Sequence, residues 1–97
     1  MTDAQDGVSV ADVPERSRFE VSADGQLAGF CEYQRDGGII TFTHTEVFGE
    51  YAGRGLAGTL VAAALDDARR NGWMVRPVCP YVAAYIKRHT EYADLVA

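Results

Sequence analysis

Thr45-Glu46-Val47-Phe48-Gly49-Glu50-Tyr51-Ala52-Gly53-Arg54-Gly55-Leu56-Ala57-Gly58-Thr59 joins an extended run to a helical one. Between Gly53 and Gly58, three glycines and one alanine remove most of the side-chain bulk. A ligand can therefore approach the backbone, and the first N–H groups of the following helix stay uncovered, which makes an anion site. Upstream, Ile39 to Val47 alternates as a strand, with Ile40, Phe42, His44 and Glu46 on one face and Thr41, Thr43, Thr45 and Val47 on the other. Downstream, Leu56, Leu60, Val61, Ala64, Leu65 and Ala68 form one apolar stripe. Asp66, Asp67, Arg69 and Arg70 point outward, and Asn71-Gly72 closes the helix.

Two nucleotide-binding motifs share part of this spacing, and neither fits. A phosphate-binding loop of the nucleotide hydrolases requires lysine after its second glycine, where Thr59 stands. Gly53, Gly55 and Gly58 match the glycines of the dinucleotide fingerprint, but that motif needs an acidic residue about 20 positions on to hold a ribose hydroxyl. No Asp or Glu lies between Arg69 and Thr90, and five residues separate Val47 from Gly53 where a tight turn is expected.

Outward from this centre, residues 1–15 read as a disordered tail, since Met1 to Val13 carries Asp3, Asp6 and Asp12 with few bulky apolar groups. Residues 16–97 then form one domain. Arg18 to Ser22 alternates, Asp24-Gly25 supplies a hairpin turn, Gln26 to Gln34 is extended, and Asp36-Gly37-Gly38 turns the chain again. The expectation is a three-stranded antiparallel meander before the glycines, and a fourth strand, Trp73 to Val78, parallel to the third through a right-handed crossover. Pro77 lacks a ladder donor, so it marks either the end of that strand or a gap in its pairing. A second helix starts at Pro80 and carries Val82, Tyr85, Ile86 and His89 on one face.

These features resemble the GNAT acetyltransferase superfamily, whose pyrophosphate loop reads Gln or Arg, two residues, Gly, one residue, then Gly or Ala at the start of a long helix. Ala52, Gly55 and Ala57 occupy those positions, with Ala52 departing from the usual Gln or Arg. The runs His44-Thr45-Glu46-Val47, Pro77-Val78-Cys79-Pro80-Tyr81-Val82 and His89-Thr90-Glu91-Tyr92-Ala93-Asp94-Leu95-Val96 are similar to its small single-domain branch. The likeness covers Thr41 to about Val96. It implies a minimal α/β (α+β) GNAT-like fold in which the two parallel strands splay and the pantetheine arm of acetyl-CoA inserts between them. It implies cofactor contacts from Val47, Gly53, Arg54 and Gly55, and from Leu56, Ala57, Gly58 and Thr59. It also places Tyr85 near the tyrosine that protonates the departing thiolate in many such enzymes, although its position on the apolar face of the second helix also suits core packing.

Two further side chains carry candidate chemistry. Cys79 sits at the amino end of the second helix, where free N–H groups stabilise a thiolate. It can act as nucleophile, as proton donor, or only as a small packing residue. Glu46, at the strand end, is either a general base for an amine or a solvated carboxylate. His44 shares its face with Ile40 and Phe42 and reads as a packed histidine, and Cys31 as structural.

Composition bounds the function. The 97 residues suffice for one domain with a modest core. No apolar run approaches the ~20 residues of a membrane span, the amino terminus has no signal-peptide pattern, and neither cysteine stands in metal-ligand spacing with a histidine. The expectation is a cytoplasmic protein without a metal. Residues 1–50 hold ten acids and three bases, whereas residues 51–97 hold four acids and six bases. An anionic cofactor favours the second half and a cationic acceptor the first, while nucleic acid would call for a far more basic surface. The resulting expectation is an acetyl-CoA-dependent N-acetyltransferase acting on a primary amine such as protein lysine, by direct attack or through an acetylated cysteine. The alternative is a non-catalytic acyl-CoA sensor or accessory interaction module.

Overall fold

The computed structural model describes residues 7–97. Its elements in chain order are β1 (Val8–Val13), β2 (Arg18–Ala23), β3 (Gln26–Asp36), β4 (Ile39–Val47), α1 (Leu56–Arg70), β5 (Met74–Pro77) and α2 (Pro80–Arg88). The five strands form one sheet in sequence order, antiparallel from β1 to β4, with β5 parallel to β4. The α/β architecture and the parallel last strand are as the sequence implies. One more strand precedes the meander than expected.

That strand corrects the reading of residues 1–15 as a tail. Positions 1–6 lie outside the described residues, but Val8–Val13 pairs with Ala23–Arg18 along its whole length. Val8 and Val10 pack against the core, and Asp12 accepts hydrogen bonds from the Tyr33 hydroxyl and from Arg35. The period-2 pattern was short, and its acidic third member is satisfied only by partners more than twenty residues away.

The turns follow from the residues that tolerate positive φ. Asp24 and Gly25, at 52° and 81°, close the β2–β3 hairpin, and Gly37 and Gly38, at 59° and 83°, close β3–β4. Helix α1 buries the predicted stripe of Leu56, Leu60, Val61, Ala64, Leu65 and Ala68. These residues join Phe19, Val21, Cys31, Ile40 and Phe42 of the sheet and Val82 and Ile86 of α2 in a single core. Both helices therefore lie on one face of the sheet. The other face carries Arg18, Glu20, Phe30, Glu32, His44 and Glu46, and among the described residues no element covers it. Among the described residues no helix is long and apolar enough to cross a membrane.

A β-bulge in β4 corrects the assignment of faces. Glu32 pairs with His44 but Tyr33 pairs with Phe42, so Thr43 is an extra residue and the alternation reverses after it. Ile40 and Phe42 point into the core, and so do Thr45 and Val47, whereas His44 and Glu46 point to the uncovered face. His44 is not packed beside Phe42. Its side chain is 54% exposed and its Nε2 lies 3.3 Å from Glu46 Oε1.

Candidate active site

The site is assembled where β4 and β5 part. Their pairing runs from Ile39–Met74 to Phe42–Pro77, and the Cys79 N–H donates to the Phe42 carbonyl at 2.8 Å as the last link between them. Pro77, which has no N–H to offer, is the final residue of β5. Beyond this point β4 continues for five residues paired with β3 alone. Its other edge is free for a ligand to enter, as a splayed pair requires.

A groove of about 650 Å³ lies between α1 and α2, a size suited to a cofactor. Helix α1 supplies Gly58, Thr59, Ala62 and Ala63 as a wall of small residues, and Gly55 stands at its mouth. Helix α2 supplies the facing wall of Tyr81, Tyr85, Arg88 and His89. A Cβ on Gly58 would stand 3.7 Å from the Tyr81 hydroxyl and 3.8 Å from Tyr85 Cε2, so glycine there leaves a gap between the walls that a methyl would fill at ordinary contact distance. Gly55 is the residue before the helix and adopts φ 75° with no side-chain cap on the helix end. Thr59 N–H is the first to return to a carbonyl of the turn, that of Gly55. The N–H groups of Leu56, Ala57 and Gly58 precede the first helical acceptor and are the free donors of the helix end.

The residues singled out in sequence fall into separate places. Gly55, Gly58 and Thr59 line the groove, as does Tyr85. Leu56 turns its side chain into the core, leaving only its backbone to a ligand. Gly53 and Arg54 are exposed on the approach, with the Arg54 guanidinium 5.8 Å from the centre of the Tyr51 ring. Val47 ends β4 opposite Gly29. Cys79 is 3% exposed at the start of α2, with its Sγ 3.3 Å from the Thr45 hydroxyl. Glu46 stands on the far face of the sheet, so β4 itself separates it from Cys79 and Tyr85.

Burial, and then the carboxylate of Glu91, raise the Tyr85 pKa above the ordinary phenol value, so Tyr85 remains a proton donor at neutral pH. Its ring stacks on His89 at 3.9 Å, and His89 Nδ1 meets the Tyr85 carbonyl at 2.9 Å. Cys31, fully buried on β3, has its thiol pushed up to about 11 by burial.

Several groove residues escaped the sequence reading. Tyr81, Arg88 and His89 recur with Tyr85 at helical spacing, and Gly58, Ala62 and Asp66 do so on α1. Both stripes were visible, but only the docking of two helices shows that they face each other. Thr45 left no signal, because its inward orientation depends on the bulge.

Comparison with known proteins places this arrangement. The sequence profile of the GCN5-related N-acetyl-transferase family matches residues 18–95. Streptothricin acetyltransferase from Streptomyces lavendulae is 34% identical over 73 residues, covering 73% of this chain, and the chain spans only 39% of that protein's length. The solution structure of a GCN5-like protein from Staphylococcus aureus superposes with a TM-score of 0.72 at 20% identity, covering 94% of this chain and 89% of the other. Ard1 from Thermoplasma volcanium does so at 0.56 and 19%, covering 63% and 43%. At those identities the two structures speak for the fold. A helix end stripped of side chains beside a sheet that parts at its parallel strand, together with a profile covering most of the residues, makes this chain a member of the GCN5-related N-acetyltransferase family.

Proposed function

We propose that the chain transfers an acetyl group from acetyl-CoA to a primary amine. The observation that carries this reading is the presence in one chain of three features: the free donors at the start of α1, the groove between α1 and α2, and the parting of β4 from β5 at Cys79. The helix end suits a pyrophosphate, the groove suits the rest of the nucleotide, and the unpaired edge of β4 suits the pantetheine arm and the thioester. No metal is called for by this chemistry.

The donor and the acceptor then meet from opposite faces of β4. Backbone donors near Val47 polarise the thioester carbonyl, and a neutral amine attacks its carbon from the uncovered face. Glu46, with His44 beside it, receives the amine proton. On the helical face, Tyr85 or Cys79 protonates the coenzyme sulfur as the C–S bond breaks. The covalent variant passes the acetyl group through the Cys79 sulfur. An uncovered acceptor face bearing Glu32 and Glu46, with Glu20 already paired to Arg16 and Arg18, suits a cationic acceptor such as a protein lysine or a polyamine better than a small enclosed metabolite. The reaction as a whole belongs to the cytoplasm, where acetyl-CoA is supplied.

The second reading, an acyl-CoA-binding sensor or accessory module, draws on the near-complete burial of Cys79. One experiment separates the two. Calorimetric titration with acetyl-CoA, followed by incubation with lysine-rich peptides and polyamines and intact-mass detection, is expected to show binding and acetylated product. Binding without product on any amine would establish the sensor, and no binding would remove the coenzyme altogether.

A further inference from the structure

The two cysteines of the chain are both buried, one on β3 and one at the start of α2, and a single side chain reaches both. The Thr45 hydroxyl lies 3.4 Å from Cys31 Sγ and 3.3 Å from Cys79 Sγ. It stands there because the extra residue at Thr43 turns Thr45 inward, into cross-strand register with Cys31. Without the bulge the hydroxyl would face the uncovered side of the sheet.

A threonine hydroxyl has one proton to donate and lone pairs with which to accept. In the resting arrangement the Thr45 O–H donates to Cys31 Sγ, and the Cys79 S–H donates to Thr45 Oγ1. When the Cys79 sulfur gives up its proton, the hydroxyl rotates and donates to that sulfur instead. The Cys31 S–H can then donate to Thr45 Oγ1, so the line reverses without leaving the threonine oxygen unpartnered. Burial keeps Cys31 a thiol, which is what a reserve donor must be.

We propose that Thr45 is the positioning residue for the Cys79 sulfur, with Cys31 as the donor held behind it. The proposal rests on the reading of Cys79 as a participant in acetyl transfer. In the covalent route, the Cys79 sulfur bonds to the thioester carbonyl carbon, the bond from that carbon to the coenzyme sulfur breaks, and the proton leaving Cys79 ends on the coenzyme thiolate. An amine nitrogen then bonds to the acetyl carbon, the bond to Cys79 breaks, and the amine proton returns to the Cys79 sulfur. The same sulfur carries negative charge when it attacks and when it leaves, and Thr45 supplies the hydrogen bond to it at both moments.

The test compares wild-type, Thr45→Val, Thr45→Ser and Cys31→Ala full-length proteins. Two quantities are measured: the rate of iodoacetamide labelling at Cys79 by peptide mass mapping, and kcat and KM for acetyl-CoA with an amine acceptor. Loss of a hydrogen bond to a charged sulfur is expected to slow labelling about tenfold or more in Thr45→Val. Thr45→Ser should restore it, Cys31→Ala should slow it by about threefold, and kcat should follow labelling while KM for acetyl-CoA stays near wild type. Equal labelling of folded wild-type and Thr45→Val protein overturns the proposal, and so does a wild-type Cys79 that labels only in urea. Should Thr45→Val not fold, unchanged labelling in Cys31→Ala overturns it. Labelling does not depend on turnover, so a protein whose Cys79 responds to Thr45 but transfers no acetyl group would retain this assignment and lose the enzymatic reading.

Discussion

The first half of β4, Ile39–Phe42, has a hydrogen-bonded neighbour on each side, whereas the second half, Thr43–Val47, is paired with β3 alone. Ile40 and Phe42 in the first half are almost completely buried. In the second half, Thr45 and Val47 are half-buried, while His44 and Glu46 look outward to solvent. One strand thus serves as scaffold until its parallel partner ends and as a free edge afterwards, and the bulge at Thr43 stands at the boundary. A single residue of register here separates the doubly paired stretch from the one with a free edge. The site inherits its precision from the doubly paired half immediately before it.

Removing the boundary should have the largest effect. Joint deletion of Thr43 and His44 would remove the bulge together with one ladder residue, so that strict alternation turns Thr45 and Val47 outward and drives Glu46 toward the core. A buried, unpaired carboxylate is expected to cost roughly 3 kcal/mol or more, and acetyl-CoA binding should vanish. Urea unfolding and calorimetry check both, and retained affinity in the deletion would show that the two halves do not depend on the bulge. Phe42→Ala tests the scaffold half. The loss should be about 3–5 kcal/mol of stability, measured by urea unfolding, with acetyl-CoA affinity of the remaining folded protein close to wild type.

Gly29→Ala probes the far end of the singly paired half. A Cβ on Gly29 would collide with the Glu46 carbonyl and stand 3.0 Å from Val47 Cα, both backbone atoms that cannot swing away. The expected cost is roughly 1–3 kcal/mol, and amide exchange should quicken at Glu46 and Val47 but not at Ile40. Uniform protection along β4 would contradict the division. Gly58→Ala, across the groove, should stabilise α1 by roughly 0.5–1 kcal/mol, because glycine in a helix interior is unfavourable and the new methyl makes only ordinary contacts. The thermal midpoint should rise while acetyl-CoA affinity falls.

The smallest effect concerns pH. Tyr33, behind the scaffold half, is pushed up to about 12 by burial and then by its hydrogen bond to Asp12, against an ordinary 10.0. A raised folded-state pKa means that the folded protein holds its proton more tightly than the unfolded chain does. This contribution is therefore complete below pH 10 and is lost as pH rises toward 12. Urea midpoints measured from pH 8 to 11 should fall above pH 10, and Tyr33→Phe should flatten that slope.

Local chemistry made much of this molecule legible in sequence. The stripe from Leu56 to Ala68, the turns at Asp24-Gly25 and Gly37-Gly38, the helix start at Pro80 and the stripped loop before α1 depend on residues within a turn or two of each other. Propensity, φ and periodicity act over that range. The uncapped, glycine-preceded start of α1 was legible for the same reason, since it needs only glycines followed by a helix.

Tertiary structure decided what links distant positions. A bulge on β4 exists only relative to β3, so counting along Ile39–Val47 could not reveal that Thr45 faces inward and His44 outward. The line from Cys31 through Thr45 to Cys79 joins residues 14 and 34 positions apart. The groove needs α1 and α2 to dock before Tyr85 and Arg88 can face Gly58 and Ala62. Strand β1 is held by Ala23–Arg18 and by the partners of Asp12, and three acids in its neighbourhood outweighed three valines when read alone. Sequence determines where a chain bends and which stripe it buries, because those are local energies. Which side chains meet at the parting of β4 and β5 is a matter of register, and register is set only when the strands pair.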